Sequence, residues 1–246
     1  KVGLGDGAPS NNSWLQELPD PVTKIVWDNY AAIGPATAKK LSLKQGDIVR
    51  VKTAQGTLEL PTHIQAGNSD ETVAVALGYG RTRAGRVGNG VGKNAAVFMQ
   101  DEKGGGIAYS GLPVTLEKTG GVRKLACTQG HHLMEGRAII KETSFDAFRG
   151  DPSSGNHKHE QALVTMWSGH KYEGNRWGMA IDLNACTGCG ACVIGCQAEN
   201  NIPVVGYKDA LNGREMHWMR IDRYYSGDAE NPSTAFQPML CQHCEN

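Results

Sequence analysis

The sequence predicts an α+β chain in two parts, a small β-barrel followed by a compact cysteine-rich unit. Three observations carry this. Short runs with alternating apolar residues lie close together between residues 48 and 77, divided by Gly-bearing turns, as in a small barrel. Cys186, Cys189, Cys192 and Cys196 are spaced C-x2-C-x2-C-x3-C. Cys241 and Cys244 repeat C-x2-C at the far end.

Residues 1–19 are rich in Gly, Pro, Ser and Asn and read as an irregular lead-in. The barrel is expected over 20–115. Pro35 to Leu41 opens on proline, which suits the first turn of a helix. Gln45-Gly46-Asp47 is a turn, Ile48 to Thr53 a strand, and Gln55-Gly56 turns it into Thr57 to Leu60. Thr72 to Leu77 places Val73, Val75 and Leu77 on one face. Residues 116–176 form an interdomain segment, whose stretch FDAFRGDPSSGNHKHE is polar and reads as a surface crossing.

The cysteine unit spans 177–246. Met179, Ile181 and Leu183 alternate with polar or small residues, so a strand is expected to deliver the chain to Cys186. A short helix follows from Cys192 to Asn200, and Ile202-Pro203 ends it. His217 to Tyr225 alternates again and is expected to pair with the first strand, with Met219 and Ile221 facing inward.

The cysteine spacing is the ligand run of a bacterial-type ferredoxin. Three thiolates on a Gly-rich loop cap three irons of one cubane, and the fourth ligates a different cluster. Gly188, Gly190 and Gly195 let backbone N–H groups close around a sulfide-rich anion. A structural zinc site is the alternative, but its two C-x2-C pairs are usually a dozen residues or more apart. The second pair, Cys241 and Cys244, opens a further cluster motif. The chain begins at Lys1 rather than Met and stops two residues after Cys244, so it reads as a fragment cut inside that motif.

Composition excludes several classes. The 25 basic and 25 acidic residues balance, against a nucleic-acid surface. The longest apolar stretch, near Val73 to Leu77, is far short of the ~20 residues a spanning helix needs. Six of seven cysteines fall in ligand spacing and Cys127 stands alone, which is metal arithmetic rather than a disulfide framework. No C-x-x-C-H occurs, so covalent c-type haem is excluded.

Two features stay open. Gly78, Gly80, Gly85, Gly88, Gly90 and Gly92 could cradle a phosphate, yet they lack the strand–G-x-G-x-x-G–helix setting, and barrel corners also use Gly. Cys127, His131 and His132 sit near one another, but adjacent side chains diverge, so packing is the plainer role.

The stretches ATAKKLSLKQGDIVRV and YGRTRAGRVGNGVG resemble the C-terminal barrel domain of the molybdopterin oxidoreductases. With the cysteine motifs behind them, they are most similar to the large iron–sulfur subunit of alternative complex III, a respiratory quinol oxidoreductase. There a molybdopterin-type domain is fused to a ferredoxin-type domain. Gln197 follows the fourth cysteine where simple ferredoxins often have Pro, as in the longer four-cluster family.

The resemblance implies [4Fe–4S] clusters, room for one [3Fe–4S] cluster in the full protein, and no molybdenum. It implies an integral membrane quinol-binding subunit, a multihaem cytochrome c subunit and other complex subunits as partners. The location implied is peripheral, in a bacterial inner-membrane complex on the periplasmic side. The expected function is electron transfer from quinol to cytochrome c or an oxidase. The alternatives are the iron–sulfur portion of an active molybdopterin oxidoreductase, and a zinc-stabilised structural module. Arg220 and Arg223 are expected either to raise a cluster's potential or to form exposed salt bridges.

Overall fold

A computed structural model of the chain describes residues 2–102, 104–156, 164 and 166–242. The lead-in is partly ordered into α1 (Ser13–Glu17), whose N-cap Asn12 accepts a hydrogen bond from the Leu15 N–H. Next come β1 (Ile25–Val26), β2 (Ala31–Ile33) and α2 (Pro35–Lys40), which opens on proline as the sequence implies. Then follow β3 (Asp47–Lys52), β4 (Thr57–Ile64), β5 (Val73–Val75) and α3 (Gly85–Gly88). A short hairpin joins β6 (Gln100–Asp101) to β7 (Ile107–Ala108). β8 (Thr115–Val122), β9 (Ala126–Cys127) and α4 (Phe145–Gly150) lead to the cysteine unit. That unit holds α5 (Ala191–Glu199), α6 (Tyr207–Leu211), β10 (Arg220–Ser226) and β11 (Ser233–Met239).

The principal sheet has five strands in the order β5-β2-β4-β3-β8. β2 and β4 run parallel and the other pairs antiparallel. The inward residues Ala31, Ile33, Val49, Val51 and Leu60 pack with Ala38, Leu43, Ala95 and Phe98 into the main core. This corrects the expected barrel: among the described residues the sheet is open. Its edges do not match, since β5 has three residues while β8 has eight and turns most of them to solvent. β8 also lies beyond the boundary expected at 115, and it completes the sheet begun by β2 to β5.

A second correction concerns the cysteine unit. Residues 177–185 form no strand, and β10 pairs with β11 from Arg220↔Met239 to Ser226↔Ser233. A nearby partner across a short turn costs little loop entropy, whereas residues 177–183 would have to close a loop of more than 30 residues. The alternating apolar residues there find no cover among the described residues: Trp177 and Met179 are exposed.

The lead-in proves to be a joint. Leu18 packs with Val193 of α5 and Ile221 of β10. Glu17 is fully buried, and its carboxylate accepts hydrogen bonds from Trp27 Nε1 (2.8 Å), Gly206 N (2.8 Å) and Val205 N (3.2 Å). Trp14 Nε1 donates to the Ile202 carbonyl at 2.7 Å. The sheet unit and the cysteine unit are thus tied by the segment that sequence alone left irregular.

Candidate metal centre

The cysteine loop enters α5 through two glycines with left-handed backbone, Gly188 (φ 68) and Gly190 (φ 79), the second being the helix N-cap. Gly188 is also closely packed: a Cβ there would sit 2.6 Å from the Phe236 ring. Both the dihedral and the space therefore require glycine. α5 buries Val193 and Gln197, one turn apart, against the Leu18 and Ile221 side.

The candidate thiols surround this turn. Cys189 and Cys192 are exposed, Cys186 and Cys196 partly so, and all four are free. Cys192 and Cys196 stand at i and i+4 of one helix, so they are neighbours on its surface. Asn200, the α5 C-cap, donates through Nδ2 to the Cys196 carbonyl at 2.9 Å and approaches Cys196 Sγ at 3.7 Å. Cys241 is free and exposed; Cys244 lies outside the described residues. Among the described residues, no three His, Cys, Asp or Glu side chains converge as ligands of one metal ion.

Three features of this structure fit an iron–sulfur cluster. The donor set is all thiol, the soft ligand such clusters take. The two left-handed glycines open the backbone beside it. The side-chain amide of Gln197, next to Cys196, is buried with neither polar atom partnered among the described residues. A sulfide-rich group offers acceptors for such a donor.

The other sequence candidates resolve differently. Arg220 is exposed and pairs with Asp222 at 2.9 Å. Arg223 is buried at 5% exposure, where Nε donates to the Val22 carbonyl and the guanidinium lies 4.5 Å from the Tyr225 ring centroid. An exposed salt bridge therefore describes Arg220 and not Arg223. Cys127 sits in β9 opposite Ile25, with its thiol within reach of the Thr23 and Gln129 carbonyls. His132 is engaged through its carbonyl, which accepts from Tyr225 N, and through an edge contact with the Tyr225 ring. His131 likewise accepts at its carbonyl, from Gln129 Nε2.

Several residues that matter here were not singled out from sequence. Lys24 is 3% exposed, and it lines a cavity beside Gly188 and Gly190 with Glu215 and His217. A lysine set before the apolar run Ile25-Val26-Trp27 was the one available signal. Glu17 gave none, because its partners lie in distant segments.

The Gly-rich loop is mostly packing. A Cβ on Gly80 would meet Asn94 N at 2.1 Å, and one on Gly92 would meet Asn29 Oδ1 at 2.7 Å. Beside the loop is a cleft of about 520 Å³, lined in part by Arg81, Thr82, Arg83, Asn94 and Tyr109. Guanidinium and hydroxyl donors with backbone N–H groups suit a phosphate-bearing ligand.

Residues 7–110 match the family described as "Molydopterin dinucleotide binding domain". The chain is also similar to iron–sulfur subunits. It is 41% identical over 71 residues to the menaquinone reductase iron–sulfur cluster-binding subunit of Nitratidesulfovibrio vulgaris, covering 28% of this chain and 27% of that protein. Over 89 residues it is 33% identical to the Hdr-like menaquinol oxidoreductase iron–sulfur subunit 1 of Archaeoglobus fulgidus, covering 30% and 32%. Over 71 residues it is 34% identical to the arsenate respiratory reductase iron–sulfur subunit of a Shewanella species, covering 29% and 26%. The chain thus spans about a third or less of these relatives' lengths. Among solved structures, acetylene hydratase from Pelobacter acetylenicus aligns over 30% of this chain and 11% of its own, at 25% identity and a TM-score of 0.25.

Proposed function

We propose that the chain is the electron-transfer part of a respiratory quinol oxidoreductase of the alternative complex III type, delivering electrons to a cytochrome c or an oxidase. The observation that carries this is the run Cys186, Cys189, Cys192, Cys196 on a loop with two left-handed glycines at the head of α5. In this reading Cys186, Cys189 and Cys192 hold one [4Fe–4S] cluster, and Cys196 a neighbouring one. Cys241 and Cys244 belong to a further cluster. Such clusters supply one-electron transfer when bound, and four-thiolate ligation leaves no open iron position for bond chemistry.

The protein's own residues set the surroundings. Gly188 and Gly190 bring the backbone close, Phe236 and Leu18 exclude water behind the loop, and Asn200 holds an N–H near the Cys196 sulfur. Hydrogen bonds to sulfur and burial tune a cluster's potential. The similarity to subunits named for menaquinone and menaquinol supports a membrane quinol donor held by an integral partner. A multihaem cytochrome c subunit is the acceptor, and the assembly sits at the periplasmic side of a bacterial inner membrane. No helix among the described residues is long and apolar enough to cross a membrane, and in this reading attachment runs through partners. Iron, acid-labile sulfide and electron paramagnetic resonance on anaerobically purified protein test the reading. Zinc in place of iron and sulfide overturns it.

A second reading has an observation of its own. The match to a pterin dinucleotide-binding domain and the Arg81–Arg83 cleft favour a working molybdopterin oxidoreductase. The first reading expects no molybdenum. Stoichiometric molybdenum and pterin in the complete purified protein decide for the second.

A further inference from the structure

Behind the cysteine loop lies a cavity of about 120 Å³. Gly188, Gly190 and Val193 form one wall, and Lys24, Glu215 and His217 face it. Glu215 Oε2 and His217 Nε2 are both buried without a partner among the described residues. Glu215 and His217 thus add polar side chains to the lining, and at ~30 Å³ per molecule the cavity has room for several waters. Lys24 is 3% exposed, held in an unusual backbone conformation (φ 60), with its ammonium 5.8 Å from the Phe236 ring centroid. Asp20 and Asp222 attract it through space. A nearly buried cation therefore shares one small cavity with the backbone of the loop that carries Cys186, Cys189 and Cys192.

We propose that Lys24 is a proton site linked to the redox state of the cluster these three cysteines hold. The inference rests on the iron–sulfur reading above. A cluster held by these cysteines would, on reduction, gain negative charge on the far side of the loop that walls the cavity, and Lys24, at 3% exposure, would feel it with less screening than a surface lysine does. The neutral amine then takes one proton from bulk water through the cavity and becomes ammonium. One electron from a one-electron donor and one proton from solvent enter together, and no other bond changes.

The charges around Lys24 set the pH range. Burial lowers its pKa to about 8, and Arg223 of β10 pushes the same way. Asp20, Asp222 and Cys127 oppose the shift. His217, across the cavity, is lowered by burial against Glu17 and Glu215, so it titrates on the acid side of its ordinary value. Arg220 is paired with Asp222 at 2.9 Å. Below about 8, Lys24 is already ammonium in both redox states, so reduction takes up no proton there. Above that value the oxidised form holds the amine, and reduction draws the proton in.

The test is a mediated redox titration of the anaerobic protein, followed by electron paramagnetic resonance, across about two pH units on either side of that pKa. The expected midpoint is flat on the acid side. On the alkaline side it falls, approaching a tenfold change in equilibrium per pH unit, about 59 mV for one electron. Proton uptake on reduction, read with an indicator in weak buffer, rises over the same range. Lys24→Met removes the bend and lowers the acid-side potential. Lys24→Arg keeps the acid-side potential and removes the bend. A flat profile in the unaltered protein overturns the proposal, as does a bend surviving both substitutions or lying in the acid range of His217. Iron and sulfide content is measured first. Protein without a cluster sinks the iron–sulfur reading and this inference together, whereas a full cluster with a flat profile sinks the inference alone.

Discussion

The sheet unit and the cysteine unit start from similar patterns and finish differently. In β2, β3 and β4 the inward residues Ile33, Val49 and Leu60 are fully buried. In the cysteine unit Trp177 is 104% exposed and Met179 65%, although they too alternate with small or polar residues. The sheet finds a second layer in α2 and in the turn around Phe98. The cysteine unit has a small apolar cluster of Leu18, Val193 and Ile221, and one of those comes from the lead-in. Packing within the sheet holds the first unit. The second also leans on the first, through Ala210, Val204 and Val205 against Val26 and Trp27, and in the reading proposed above bonds to iron would add to its free energy of folding.

Removing the cluster should break this contrast most visibly. Chelation under oxidising conditions, or Cys189→Ser, should strip amide-exchange protection from α5 and from β10–β11. β3 and β4 should keep theirs. Protection retained in α5 and β10–β11 would show that the cluster is not what holds the second unit, and equal loss in both would show that the contrast between them is false.

Leu60→Ala tests the other side. It opens a hole in the centre of the five-stranded sheet and should cost about 2–5 kcal/mol in chemical denaturation. Cluster absorbance should persist until the sheet itself melts. Bleaching before the sheet melts would mean that the cysteine unit unfolds on its own.

Glu17→Gln probes the joint. The charge that accepts from Trp27, Val205 and Gly206 is replaced by an amide that cannot accept at both ends. One buried N–H is left without an acceptor, a cost of about 1–3 kcal/mol. The loss should appear as independent melting of the two units, seen as two calorimetric transitions where the parent shows one.

Sequence reasoning reached what depends on near neighbours. α2, β3 and β4 follow from a proline start, Gly turns and a two-residue period, and the structure has them. The cysteine spacing points to its chemistry because ligand spacing is local, and it supports the reading proposed above without the fold having to be known. Openness of the sheet was not legible, since it depends on how the edges β5 and β8 fail to meet. The strand expected at 179–183 was a reasonable reading of period alone, but β11 offered β10 a nearer partner. Lys24, Glu17 and His217 were missed for a related reason. Each acts through contacts with residues far off in sequence, and a single chain carries no sign of those.

The smallest effect should come from the seam between the units at Asp28. Asp28 is 3% exposed, and its Oδ2 accepts from Arg123 Nε at 2.6 Å, while the same guanidinium lies 4.9 Å from the ring of Tyr207 on α6. Burial raises the Asp28 pKa above its ordinary value, and the attraction of Arg123 offsets only part of that. The folded protein therefore binds this proton more tightly than the unfolded chain. Its stabilising contribution is full below the unfolded pKa and is lost as pH rises through the folded one. Asp28→Asn removes the titration and keeps an acceptor for the Asn29 N–H. The amide meets Arg123 donor to donor, but Arg123 is about half exposed and turns to water instead. Stability measured against pH should thus lose its decline across the acidic range, with little change at neutral pH. A variant that becomes much less stable at neutral pH would show instead that the Asp28–Arg123 pair holds the seam closed.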